Sequence, residues 1–177
     1  ILTMKRHFTL IEMLVVVAVI AILIGILIPT VGTVMEKVKI NKAKATLNSL
    51  RIGIKQYETT YGILPFTGSG ADKQLSDAEY TALLTMLSGD NAIGNAREIK
   101  FLDLSESDYS DPWGNNFRVS LDLSYDDEIC GSNIAGVTDG APLGTSLVIW
   151  SMGADGVESV DEGTSADNDD NVESWNN

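Results

Sequence analysis

Apolar residues follow three patterns along this chain, and each predicts a different element. From Met13 to Ile28 the sequence reads MLVVVAVIAILIGILI, without a charged or strongly polar side chain. With Phe8, Thr9, Leu10, Ile11 and Glu12 in front, the stretch is about 21 residues, roughly the length of helix that crosses a bilayer core. Beyond it, Ile40, Ala43, Leu47, Leu50, Ile54, Tyr57 and Tyr61 are spaced by alternating threes and fours, which makes one apolar stripe on a helix. Thr9 followed by Glu12 has the spacing of a capping box, so a helix is expected to begin close to Phe8. Gly62 and Pro65 are expected to stop it after Tyr61. Pro29 and Gly32 fall inside the pattern, where a kink or local melting is expected, because proline removes one backbone bond and crowds the preceding turn.

The rest of the chain is built from shorter pieces. Residues 66–76 read as a loop. Ser76 to Ser88 reads as a short helix, with Ser76 as cap, Glu79 three residues on, Tyr80, Leu83, Leu84 and Leu87 on one face, and Gly89 behind. The third pattern is alternation: Phe117, Val119, Leu121 and Leu123 share one side of a strand over 116–123, and residues 146–152 form a second, more apolar strand. Residues 124–145 read as a Gly/Asp-rich hairpin loop or a short extra strand. From Gly153 onward there is no periodicity.

Charge divides the chain at the end of the predicted helix. Residues 1–61 hold eight of the twelve Lys and Arg and three acids, whereas residues 62–177 hold four bases and twenty-two acids. So acidic a head makes a poor nucleic-acid partner, since phosphate contacts need Lys and Arg, and a plausible cation binder. His7 is the single histidine and precedes the apolar run, which excludes histidine-based catalysis in the head. Neither a Gly-x-Ser-x-Gly elbow nor a metal-ligand cluster suited to catalysis is present, so no enzymatic activity is expected. Cys130 is the single cysteine and cannot form an internal disulfide; a buried or half-buried thiol is expected, with a reactive or intermolecular thiol as the alternative.

Two residue groups carry candidate chemistry. Glu12 either completes the capping box with Thr9 or, as an ionisable group in an apolar segment, pairs with a cation. If the chain is cut before Phe8, the new amine of a neighbouring copy is such a cation, and the pair would set the register of a filament. The acids near the C-terminus either form a solvated tail or, since Gly153-Ala-Asp-Gly looks like a tight turn and Trp175 could anchor the far end, surround a cation. Asp155, Asp169, Asp170 and Asn171 then supply side-chain oxygens to calcium, with Met152 or Val157 adding carbonyls. Asp111-Pro112-Trp113-Gly114-Asn115 reads first as a structural turn.

Phe8-Thr9-Leu10-Ile11-Glu12-Met13-Leu14-Val15-Val16 resembles the N-terminal signature of type IV prepilins and of the pseudopilins of type II secretion, with Pro29 twenty-one residues after Phe8. Asp111-Pro112-Trp113-Gly114-Asn115 resembles the corresponding turn of major pseudopilins. Ser151 to Gly156 with Asp169 to Trp175 resembles their C-terminal calcium loop. His7 stands where that family usually has glycine, and Asn171 where it usually has the second acid of a pair.

The resemblance implies an α+β, pilin-like fold. A basic leader (residues 1–7, with Met4 the expected start) precedes a transmembrane and filament-core helix (8–29), an amphipathic half (30–62) and an acidic head with a calcium-type loop (63–177). It implies cleavage between His7 and Phe8 and methylation of Phe8 by a prepilin peptidase and N-methylase. Assembly into a homo-oligomeric helical filament would involve Glu12 and Pro29. The implied location is the bacterial inner membrane, with the leader in the cytoplasm and the head outside. The implied partners are an inner-membrane secretion platform and minor pseudopilins. A type IV pilin of a surface fibre, for adhesion or DNA uptake, is the alternative. A membrane-anchored calcium-binding module is a further one.

Overall fold

A computed structural model describes residues 9–66, 70–89, 94–103, 110–130, 134, 142–157 and 170–175, with the backbone alone over 27–31. Among these residues the chain forms two helices, α1 (Leu10–Tyr61) and α2 (Asp77–Ser88), and four strands, β1 (Lys73–Gln74), β2 (Arg118–Leu121), β3 (Leu147–Ser151) and β4 (Val172–Glu173). The chain divides into two compact units, Ile1–Val38 and Lys39–Asn177.

In the first unit, α1 starts on the predicted capping box. The Glu12 N–H donates to Thr9 Oγ1 at 3.3 Å, while Glu12 Oε2 accepts from the Thr9 N–H and hydroxyl, each at 2.8 Å. Every residue from Leu10 to Ile26 is exposed. The helix continues through Pro29 and Gly32, where a kink or local melting was expected.

The expected pilin-like fold, with a transmembrane first half of the helix, is corrected here: no helix among the described residues is long and apolar enough to cross a membrane. Within α1 the apolar side chains of residues 10–26 are followed, beyond Pro29, by Glu36, Lys37, Lys39, Lys42 and Lys44, charges that a bilayer core does not accept. The architecture is a small α+β arrangement with a four-stranded antiparallel sheet.

In the second unit the predicted stripe is the core-facing side of α1. Ala43, Leu47, Leu50, Ile54 and Tyr57 are buried, and Ile40 and Tyr61 pack at the edge of the same cluster. Across from them lie Tyr80, Leu83, Leu84 and Leu87 of α2 and Phe117, Val119, Leu121, Leu123, Leu147 and Ile149 from the sheet region. Burying each large side chain contributes about 1.5–3 kcal/mol. α2 is held as its sequence predicts: Ser76 and Glu79 form a reciprocal capping box, and Gly89 ends the helix in the left-handed region at φ 88°.

The sheet order is β1-β2-β3-β4, antiparallel throughout. All five residues of β3 are buried because both of its faces are covered. Leu147 and Ile149 join the cluster with α1. Val148 and Trp150 point the other way, into a second cluster with Ile129, Ile134, Leu143 and Trp175. This explains why β3 reads as continuously apolar.

Two strands fall where none was expected. β1 lies in the segment read as a loop, and β4 in the segment read as aperiodic. Each has two residues, too short for a period to show, and each is defined by its partner strand. Between β2 and β3 the described residues contain one isolated bridge, Ile129 with Leu143. Cys130, beside it, is exposed rather than buried, because Ile129 takes the inward position of the bridge.

Candidate functional site

The predicted N-terminal site residues are only partly placed. His7 and Phe8 lie outside the described residues. Pro29 is inside α1, with its side chain outside the description. Glu12 is exposed and bound to Thr9, so its capping role is present.

The second group is assembled around the turn at 111–115. Asp111, only 4% exposed, organises it. Its Oδ1 accepts from the N–H of Trp113 at 3.0 Å and of Asn115 at 2.8 Å, and its own N–H donates to the Asn115 carbonyl at 2.8 Å. The Gly114 N–H donates to the Asp111 carbonyl at 3.0 Å, closing the turn, and Trp113 packs against the main core. Asp111 Oδ2 is left pointing at β3, where the Ser151 hydroxyl donates to it at 2.6 Å. Ser151 Oγ in turn accepts from the Gly153 N–H at 3.2 Å.

From Ser151 the chain enters a second turn, with Gly153 at φ 70° and Gly156 at φ 68°. The left-handed backbone of Gly153 aims the N–H groups of Ala154 and Asp155 at one point. Asp170 Oδ2 sits there, accepting from them at 2.5 and 3.1 Å. Glycine is required at 153 on a second count: a Cβ there would lie 2.5 Å from Asp170 Cγ. Asp155 is exposed, and its Oδ1 accepts from the Val157 N–H at 2.9 Å. The returning segment is secured by β4, by the Ser174 N–H donating to the Ile149 carbonyl at 3.0 Å, and by the Trp175 ring set edge-on to Trp150 at 6.0 Å between centroids.

Three of the four predicted calcium ligands are therefore described. Asp155 and Asp170 meet through the main chain at 154–155, Asn171 follows Asp170 with its Oδ1 buried, and Asp169 lies outside the described residues. One observation bears directly on a cation. Asp170 Oδ1 is buried and, among the described residues, accepts no hydrogen bond. A buried carboxylate oxygen without a partner is destabilising by about 1–3 kcal/mol, and a hard cation supplies the missing partner. All the side-chain donors here are oxygens, which suits calcium better than a softer metal.

A second acidic group went unforeseen in the sequence. Asp72, Asp122 and Asp126 each offer one carboxylate oxygen within 4.8 Å of the others. No local spacing betrays it, since the residues come from segments about fifty positions apart. Its oxygens are engaged in holding loops: Asp122 accepts from the N–H of Tyr125 and Asp127, and Asp72 from the N–H of Cys130. The trio works as a set of loop caps.

An open groove of about 890 Å³ lies between α1 and the 99–101 segment, lined by Arg51, Ile52, Lys55, Lys100 and Phe101 among others. Two of its cations are compensated: Lys55 by Glu58 at 2.8 Å and Lys100 by Asp103 at 2.5 Å. Comparison of the chain with family models, curated proteins and solved structures finds no match.

Proposed function

We propose that this chain is a structural subunit of a pilus-like filament, the pseudopilus of a type II protein secretion system, with no enzymatic activity of its own. The observation that supports this most is the exposure of α1 from Leu10 to Ile26. Its large side chains are apolar on every face and open to solvent, from 47% at Val16 to 83% at Leu10. A helix apolar all round needs a cover. In a filament, the same segment of neighbouring copies supplies it.

On this reading a prepilin peptidase removes residues 1–7 and its N-methylase modifies the amine of Phe8. Glu12 then pairs with that amine on the next copy. The pair offsets the burial of the carboxylate and sets the register between subunits. Before assembly the subunit resides at the bacterial inner membrane, with its head on the periplasmic side, where the secretion platform and minor pseudopilins engage it. Calcium is held at the C-terminal loop by Asp155, Asp169, Asp170 and Asn171, and supplies the charge compensation that Asp170 Oδ1 lacks.

The test is intact-mass analysis of the subunit from filaments, together with filament yield from Glu12→Ala cells. A chain that begins at methylated Phe8, and a Glu12→Ala yield at least tenfold below wild type, support the reading. Filament subunits that retain Lys5, Arg6 and His7, or a wild-type yield from Glu12→Ala, overturn it.

A further inference from the structure

Asp170 and the turn at 111–115 are joined by a continuous path of hydrogen bonds through Ser151 and the 153–155 backbone. Asp170 Oδ2 is bound by the N–H groups of Ala154 and Asp155, so its position follows the backbone of the 153–156 turn. That turn is in turn set from below by the turn at 111–115, at two points.

The first point is the hydroxyl of Ser151. It has one proton, and Asp111 Oδ2 takes it at 2.6 Å. With the proton so committed, the oxygen's lone pairs are turned to the Gly153 N–H at 3.2 Å. Both residues are buried, Ser151 fully and Asp111 to within 4%, so solvent does not compete for the bond. The second point is the Asn115 side chain. Its amide lies 3.5 Å from the Gly153 carbonyl and 3.3 Å from where a Cβ on Gly156 would sit, filling the space beside Gly156. Asn115 is itself fixed by Asp111, whose Oδ1 accepts its N–H at 2.8 Å.

We propose that Asp111 and Asn115 are positioning residues for the cation loop: the 111–115 turn sets the 153–156 backbone so that Asp170 offers its second oxygen to the ion. This rests on the proposal that the loop binds calcium. It goes further in giving the Asp-Pro-Trp-Gly-Asn turn a role in ligand affinity, beyond that of a structural turn.

The chemistry of the path says which change breaks it. Replacing Asp111 by asparagine can turn an acceptor into an NH₂ donor toward Ser151. The hydroxyl then reverses to accept, and the Gly153 N–H loses its partner. Asn115→Ala empties the space beside Gly156, removes the amide at the Gly153 carbonyl and leaves Asp111 untouched.

The experiment is calorimetric titration of calcium chloride into the full-length chain in detergent, for wild type, Asp111→Asn, Asn115→Ala and Ser76→Ala. Melting temperature in chelator is recorded for each. Ser76→Ala removes the hydroxyl that caps α2 through Glu79 and controls for general loss of stability. Wild type and Ser76→Ala are expected to share one Kd, with Asp111→Asn and Asn115→Ala raised at least tenfold at comparable melting temperatures. Should Asp111→Asn fail to fold, Asn115→Ala carries the test. Wild-type Kd in both turn variants overturns the positioning role and leaves the calcium reading standing. Absence of calcium binding by wild type overturns the calcium reading, and the positioning role with it.

Discussion

The hydroxyl of Ser151 donates to Asp111 Oδ2 at 2.6 Å, joining two buried residues forty positions apart. It accounts for a carboxylate in the interior. Asp111 accepts from two backbone N–H groups on one oxygen and from a hydroxyl on the other, so its buried charge is stabilised by donors on both sides. Ser151→Ala leaves Oδ2 buried without that donor. A loss of about 1–3 kcal/mol is expected, measured by chemical denaturation in chelator; an unchanged midpoint would show that the bond contributes nothing net.

Gly153→Ala should be more damaging locally than globally. The substitution strains a residue at φ 70° and drives a methyl into the Asp170 carboxylate. More than about 1 kcal/mol is expected to be lost. Faster amide exchange should be confined to 153–157 and 170–175. Wild-type exchange rates in those two segments would refute the tight seat assigned to Asp170.

Calcium should raise the melting temperature of the full-length chain, since binding to the folded state alone stabilises by about 2.7 kcal/mol at a hundredfold excess over Kd. Asp170→Ala should remove that rise, because Oδ1 of Asp170 is buried and has no donor among the described residues. Asp126→Ala, in the acidic trio of loop caps, should leave the rise intact. The comparison therefore distinguishes the two acidic groups.

The head should lose stability in acid through Glu79. Its carboxyl is held down to about 2, from a usual 4.5, first by the Lys73 ammonium and then by the backbone and hydroxyl of Ser76. A depressed value means that the folded state favours the charged form. The stabilisation is therefore complete above about pH 4.5 and fades as pH falls toward 2. Because the Glu79 side chain is 31% exposed, screening limits the effect to about 1 kcal/mol. Lys73→Met should destabilise at pH 7 and match wild type near pH 2. A constant difference across that range would count against the ion pair as its source.

Trp175 should act as the clasp of the C-terminal segment. Its ring stands at 78° to that of Trp150, an edge-to-face pair that contributes about 0.5–1.5 kcal/mol beyond area burial. Trp175→Ala should speed exchange at the Ser174 amide, which is bonded to the Ile149 carbonyl, while leaving the centre of β2 protected. Equal protection of Ser174 in both forms would assign the clasp to β4 alone.

The elements legible from residue order are those whose signals are local. The threes and fours from Ile40 to Tyr61 placed the buried face of α1, because helical neighbours are close in sequence. Ser76, Glu79 and Gly89 marked both ends of α2 by groups that bond within one turn of the backbone. Alternation placed Phe117, Val119, Leu121 and Leu123 on one side of a strand, and the more apolar run over 146–152 marked β3, whose burial on both faces only the structure shows. Asp155, Asp170 and Asn171 were named from the tight turn at Gly153, the anchoring Trp175 and a resemblance to calcium loops, with a solvated tail as the alternative.

What tertiary structure alone decided depends on partners distant in the chain. β1 and β4 exist because β2 and β3 offer them open edges, and two residues carry no period of their own. The outward position of Cys130 follows from the Ile129–Leu143 bridge. The bond from Ser151 to Asp111, the seat of Asp170 against Gly153 and the trio of Asp72, Asp122 and Asp126 each join residues that composition and spacing leave unrelated. The apolar run from Met13 to Ile28 suggested a membrane crossing, whereas no helix among the described residues is long and apolar enough to make one. Local pattern determines which residues a backbone segment presents on one face. Which faces meet, and which polar atoms are thereby enclosed, is settled only when the whole head packs.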